Sequence, residues 1–146
     1  MASIKLFAAS VGDLLAGNID WVDDDIYVML LTSGYTPDQE ADSFVSGIDA
    51  DEVSGAGYTA GGKQLTTPTA TLDSPSHTWV YTADDLVWAG CSFTFQYAVI
   101  YRLVGSATPD DDNLIAYIDF GDDRVLSSET LTLDWNAAGI IRLGYL

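Results

Sequence analysis

The chain has 146 residues, 48% of them apolar, which suits one domain with a real core and leaves little room for two. Five Lys and Arg stand against 22 Asp and Glu, for a net charge of −17. A surface of that sign repels phosphate backbones and anionic headgroups, so nucleic acid and membrane are excluded as expected partners. No stretch approaches the ~20 apolar residues of a membrane-spanning helix. The apolar run after Lys5 is broken by Asp13, whereas a secretory leader needs a longer unbroken one. Cys91 is alone, so no intrachain disulfide forms, in keeping with folding in a reducing compartment.

In chain order, "SVGDLLA" (residues 10–16) predicts a short helix, with Ser10 as its cap and Gly17-Asn18 as its stop. "DIYVMLLT" (25–32) is rich in β-formers and apolar on both faces, the pattern of a central strand buried on two sides or sharing an interface. In "GYTPDQEADSFVSGI", Pro37 reads as a first helical residue and Gly47 as a stop, which predicts a second short helix over 38–46. "QLTTPTATL" is a strand or extended arm. "HTWVYTA" (77–83) and "DLVWAG" (85–90) are short strands divided by Asp84-Asp85. "FTFQYAVIYRLV" (93–104) places Phe93, Phe95, Tyr97, Val99, Tyr101 and Leu103 on one face. "NLIAYIDF" (113–120) is another apolar strand. "ETLTLDW" (129–135) alternates Leu131, Leu133 and Trp135 with Thr130, Thr132 and Asp134, and "GIIRLGYL" (139–146) runs as a strand. Short strands punctuated by Asp and Gly turns, without long helices between them, predict an all-β chain. The expected fold is a single antiparallel β-sandwich, jelly-roll-like or Ig-like. One or two short helices lie near the N-terminus, with an arm over about residues 1–20.

Candidate chemistry is thin. "GYTAGGKQ" (57–64) is one residue short of a phosphate-binding loop, with Gln64 where a hydroxyl residue should hold magnesium. Such a loop also needs an apolar strand before it and a helix after it. Here "GIDADEVSG" precedes and the Thr-rich arm follows, so the block reads as a glycine turn feeding a strand. The Asp clusters lack the ligand spacing of a helix–loop–helix calcium site, and solvated turns at strand ends account for them; clusters from separate loops could still meet around Ca2+. Paired carboxylates for glycoside hydrolysis are too common here to discriminate. His77 has no G-x-S-x-G elbow to serve, Cys91 beside an apolar strand reads as packing, and zinc lacks ligands. No catalytic, cofactor or metal residue is therefore assigned. Trp79, Trp88 and Trp135 lie among apolar neighbours, in core or interface, and Trp21 caps the core or anchors a neighbouring subunit.

The blocks "NIDWVDDDIYVMLLTSGYTPD", "DEVSGAGYTAGGKQL", "YAVIYRLVG" with "LIAYIDFG", and "WNAAGII" keep their order over roughly residues 18–141. Together they resemble a family of small tailed-bacteriophage virion proteins, some of whose members look like capsid cement (decoration) proteins of cyanophages and siphophages. The resemblance implies a non-enzymatic assembly protein, made in the bacterial cytoplasm and bound to the outer surface of the head. Its implied partners are the major capsid protein and itself, as a homotrimer. A tail, head-fibre or adhesin component that binds host glycan through surface aromatics is the alternative, and a glycan hydrolase a more distant one. The expected contact residues are Ile4, Leu6 and Phe7 near one terminus, and Ile141, Arg142 and Tyr145 near the other. Trp21 and the glycine loop, with Gly57, Tyr58, Gly61, Gly62 and Lys63, complete the set.

Overall fold

The computed structural model describes residues 4–105 and 111–144. Its strands are β1 (Ile4–Leu6), β2 (Asp25–Leu31), β3 (Lys63–Gln64), β4 (Thr69–Asp73), β5 (Thr78–Thr82), β6 (Leu86–Cys91), β7 (Thr94–Leu103), β8 (Leu114–Val125), β9 (Glu129–Leu133) and β10 (Ile141–Gly144), with one α-helix, α1 (Ala8–Ala16), and two short 3₁₀ helices, Val45–Gly47 and Asp49–Asp51. The main sheet has the order β1-β8-β7-β2-β3, and every pairing in it is antiparallel. A second layer is built from the three-stranded sheet β10-β5-β4 and the two-stranded sheet β6-β9. The protein is thus mostly β, a sandwich-like antiparallel fold with its helix near the N-terminus.

The two apolar faces of β2 explain its place in the middle. Ile26, Val28 and Leu30 point into the sandwich core with Ala98, Ile100, Ala116 and Ile118, where Leu86, Trp88, Leu133, Trp135 and Ile141 meet them from the second layer. Met29 and Leu31 point the other way, with Val99, Tyr101, Leu114 and Tyr117. That outer face is roofed by Phe7 and by Tyr35, Val45 and Ile48 of the long connection after β2. Each fully buried side chain of this size contributes about 1.5–3 kcal/mol, so a strand with two buried faces anchors the molecule.

Several local expectations change. The helix begins at Ala8, not Ser10, and Phe7 stands at its N-cap position. Ser10 is buried and its hydroxyl donates to the Phe7 carbonyl at 2.7 Å. Gly17 does end the helix, in the left-handed region at φ 79°, where its N–H reaches the Asp13 and Leu14 carbonyls. The second helix over 38–46 is reduced to a 3₁₀ turn at Val45–Gly47, which ends at the expected Gly47. Asp38 Oδ1 accepts from the amides of Glu40 and Ala41, and Asp42 Oδ2 accepts from the amide of Asp38 and from the Tyr35 hydroxyl. These side chains close a turn in place of a helix, and the chain then extends so that Phe44 bridges Asn113. In β7 the strict alternation also fails. The β7–β8 register shifts between Phe95 and Tyr97. Phe93 and Phe95 join the sandwich core, while Tyr97, Val99 and Tyr101 lie under the roof.

Candidate functional site

The glycine loop lies against its own chain. Glu52 sits at its centre, with Oε1 accepting from the Tyr58 hydroxyl at 2.7 Å and from the Gly61 amide at 2.6 Å. The Tyr58 oxygen in turn accepts from the Leu30 amide of β2 at 3.0 Å, and the Tyr101 hydroxyl donates to the Gly61 carbonyl at 2.6 Å. Gly62 has φ 83°, and a Cβ there would stand 1.9 Å from the Val28 carbonyl oxygen. The glycine is required because two backbones touch, with no phosphate involved. Lys63 turns back as well, its Nζ donating to the Val87 carbonyl and resting 5.5 Å from the centroid of the Trp88 ring. Gln64 Nε2 donates to Asp25 Oδ1 at 2.8 Å. The hydrogen bonds and close approaches of Gly57, Tyr58, Gly61, Gly62 and Lys63 are therefore made within the protein.

Carboxylates do similar local work elsewhere. Asp20 Oδ1 accepts from the amides of Val22 and Asp23, Asp84 Oδ2 from the Thr67 hydroxyl, Asp85 Oδ1 from the Trp135 amide, and Asp112 Oδ1 from the Val104 amide. Asp24 Oδ2 lies 2.7 Å from Arg102 Nε, and Arg102 also donates to Asn113 at 3.2 Å. The acidic clusters serve as turn and strand-end fasteners. Among the described residues, no group of three or more His, Cys, Asp or Glu is arranged to hold a metal ion.

The remaining expected contact residues divide. Phe7, Trp21 and Ile141 are buried in the chain's own core, and the Trp21 indole donates to the Thr82 carbonyl at 3.0 Å. Side chains so enclosed offer no surface to a partner, which removes these three from the contact set. Ile4 and Leu6 are half-buried on β1. Arg142 is exposed, donating to the Ala138 carbonyl and lying 3.4 Å from Asp73. Hydrogen bonds from the Ser76 hydroxyl and then from Arg142 hold the Asp73 carboxyl below its ordinary range. Tyr145 lies outside the described residues.

A different surface emerges where α1 overhangs the sheet β10-β5-β4. By register, Leu72, Trp79 and Leu143 stand in one row across that sheet. Between the row and the helix runs an open groove of about 440 Å³, walled by Leu14, Leu15, Ile19, Tyr81 and Leu143. Leu15 is 89% exposed and Leu72 50%, with Val22 at 47%, Val11 at 43% and Trp79 at 41%. Val11, Leu15 and Val22 line the groove itself, and Leu72 and Trp79 stand exposed in the row beside it. The sequence reading missed Val11, Leu15, Val22 and Leu72. The signal was present in α1, where Val11 and Leu15 stand four residues apart on one side of the helix while Leu14 faces the core.

No family model, curated protein or solved structure matches the chain.

Proposed function

We propose that this protein is a structural component of a tailed-phage virion, a capsid decoration protein that binds the outer surface of the head as a homotrimer and clamps neighbouring major capsid subunits. The observation that carries an assembly role is the apolar groove between α1 and the β10-β5-β4 sheet. Its exposed large apolar side chains are of the kind that the centre of a stable interface, ~800 Å² per partner, buries. A second copy of the chain is its occupant, because almost no charge stands in the groove to resist burial between two chains of net charge −17. The ordered sequence blocks described above supply the virion context. The acidic surface suits the outside of a head better than its DNA-filled interior. Stabilisation would come from contact area that bridges capsomers and raises the work of separating them. A glycan-binding adhesin needs a platform of exposed aromatics, and three of the four tryptophans (Trp21, Trp88 and Trp135) are buried in the core.

Two measurements test this reading. Sedimentation equilibrium of the purified protein should give a trimer, and Leu15→Glu should shift it to monomer while the far-UV circular dichroism of the folded chain stays unchanged. Antibody-gold on intact virions should label the head uniformly. A strict monomer across micromolar concentrations removes the self-contact, and label confined to the tail removes the decoration role.

A further inference from the structure

Among the described residues the sandwich is open along one side. On its outer edge β8 pairs with β1 only through Ala116, Tyr117 and Ile118. From Asp119 onward no strand lies beside that edge among the described residues, and β9 pairs with β6 alone. Between the two edges runs an apolar groove in two adjoining parts of about 520 and 330 Å³ that share Phe120, Thr132 and Leu133. Ile118, Leu126, Leu131 and Trp135 complete its floor. Asp134, just beyond β9, and Arg124 line it, and Asp122, Asp123 and Glu129 stand exposed on the strands beside it. Against these carboxylates stand Lys5 one strand away on β1 and Arg124, whose guanidinium lies 5.9 Å from the Phe120 ring centroid.

We propose that this groove seats an extended, apolar arm flanked by Lys or Arg, contributed by a different protein of the assembly and added as a strand beside β9. An unpaired strand edge offers a row of backbone donors and acceptors, and the apolar floor takes alternate side chains of an incoming strand. The carboxylates around the groove, Asp134 in its lining with Asp122, Asp123 and Glu129 on its strands, outnumber Arg124 and set the sign of the arm. They favour flanking cations and oppose a second copy of a chain with net charge −17. The proposal deepens the assembly reading but uses a different surface, so the two fail separately: the oligomeric state reports on the α1 groove, and peptide binding reports on this one.

The test uses the full chain and two short synthetic peptides of alternating Val and Thr, one flanked by lysines and its twin by glutamates. Binding is followed by fluorescence anisotropy and by amide shifts in isotope-labelled protein. The lysine peptide should bind at least about tenfold tighter than its twin, weaken as salt rises, and shift the amides of Leu131, Thr132 and Leu133. The double substitution Asp122→Lys with Asp134→Lys should cut the preference to about twofold or less. Both positions are exposed, so this variant stands even if Phe120→Ser, which should abolish binding, fails to fold. Equal binding of the two peptides, no binding of either, or shifts away from β8 and β9 overturns the proposal. So does self-association that Phe120→Ser removes, which makes a second copy the occupant. Binding that appears only after residues 1–3 are deleted assigns the groove to the chain's own beginning and overturns it equally.

Discussion

Three tyrosine hydroxyls fasten the loops, and those of Tyr58 and Tyr101 tie them to the main sheet. Tyr35 donates to Asp42, Tyr58 to Glu52 and Tyr101 to the Gly61 carbonyl. Each has its pKa pushed well above the ordinary phenol value, first by burial and then by nearby carboxylates: Asp42 for Tyr35, Glu52 for Tyr58 and Asp112 for Tyr101. The Leu30 amide pulls Tyr58 the other way. The sign follows directly. The folded protein keeps protons that the unfolded chain releases near pH 10, so stability is intact below that point and falls as pH rises through it. Each tyrosine adds up to ~1.4 kcal/mol per pH unit to the alkaline slope. Melting temperature followed between about pH 8 and pH 11 should stay level and then drop steeply. Tyr58→Phe should flatten that drop by one tyrosine's share. It should also cost about 1–3 kcal/mol at neutral pH, because the Leu30 amide loses its acceptor.

At the scale of elements, β2 and β7 are the rigid centre. Ile26, Val28, Met29, Leu30 and Leu31 in β2, and Phe95 and Tyr97 to Tyr101 in β7, are all buried. The hairpin β4–β5 differs, since Thr69, Thr71, Leu72 and Trp79 are exposed and its connecting residues 74–77 lie entirely on the surface. Amide hydrogen exchange should therefore protect residues 26–31 and 97–101 up to the global unfolding free energy, while residues 69–73 exchange by local opening orders of magnitude sooner. Equal protection in the two regions at low protein concentration would mean that the hairpin is held by more than its own sheet. Raising the concentration should slow exchange at Leu72 and Trp79 if these residues are buried between subunits.

Across the whole molecule the dominant feature is charge. With a net charge of −17, and with Arg102 and Arg142 forming the ion pairs found among the described residues, carboxylates repel one another more than they are neutralised. Raising salt from about 0.01 M to 1 M shortens the screening length from ~30 Å to ~3 Å, so the melting temperature should rise with sodium chloride. A fall would mean that the Arg102–Asp24 and Arg142–Asp73 pairs outweigh the general repulsion, which exposed pairs seldom do.

How much was legible follows from the range of the forces involved. The strands at 25–31, 78–82, 94–103 and 129–133 follow the segments anticipated in the sequence, because alternation and β-branched runs are local signals of burial. The end of α1 at Gly17 was legible for the same reason. The turn at 38–46 was not, because carboxylates that bond to nearby amides imitate a helix start and then withhold the helix. The contact residues were the least legible. Phe7 and Ile141 look like sticky termini in one dimension and are core in three, Trp21 takes the core place of the two open to it, and Leu15 and Leu72 look like core and stand in water. The glycine loop shows the boundary most plainly. Sequence by itself determined the β-rich class, the strand segments, the acidic surface and a glycine turn feeding a strand before Gln64. Only the tertiary structure decided that the backbone pressed against Gly62 is Val28 of the same chain, because which two distant segments touch depends on how the sheets stack and on no local pattern.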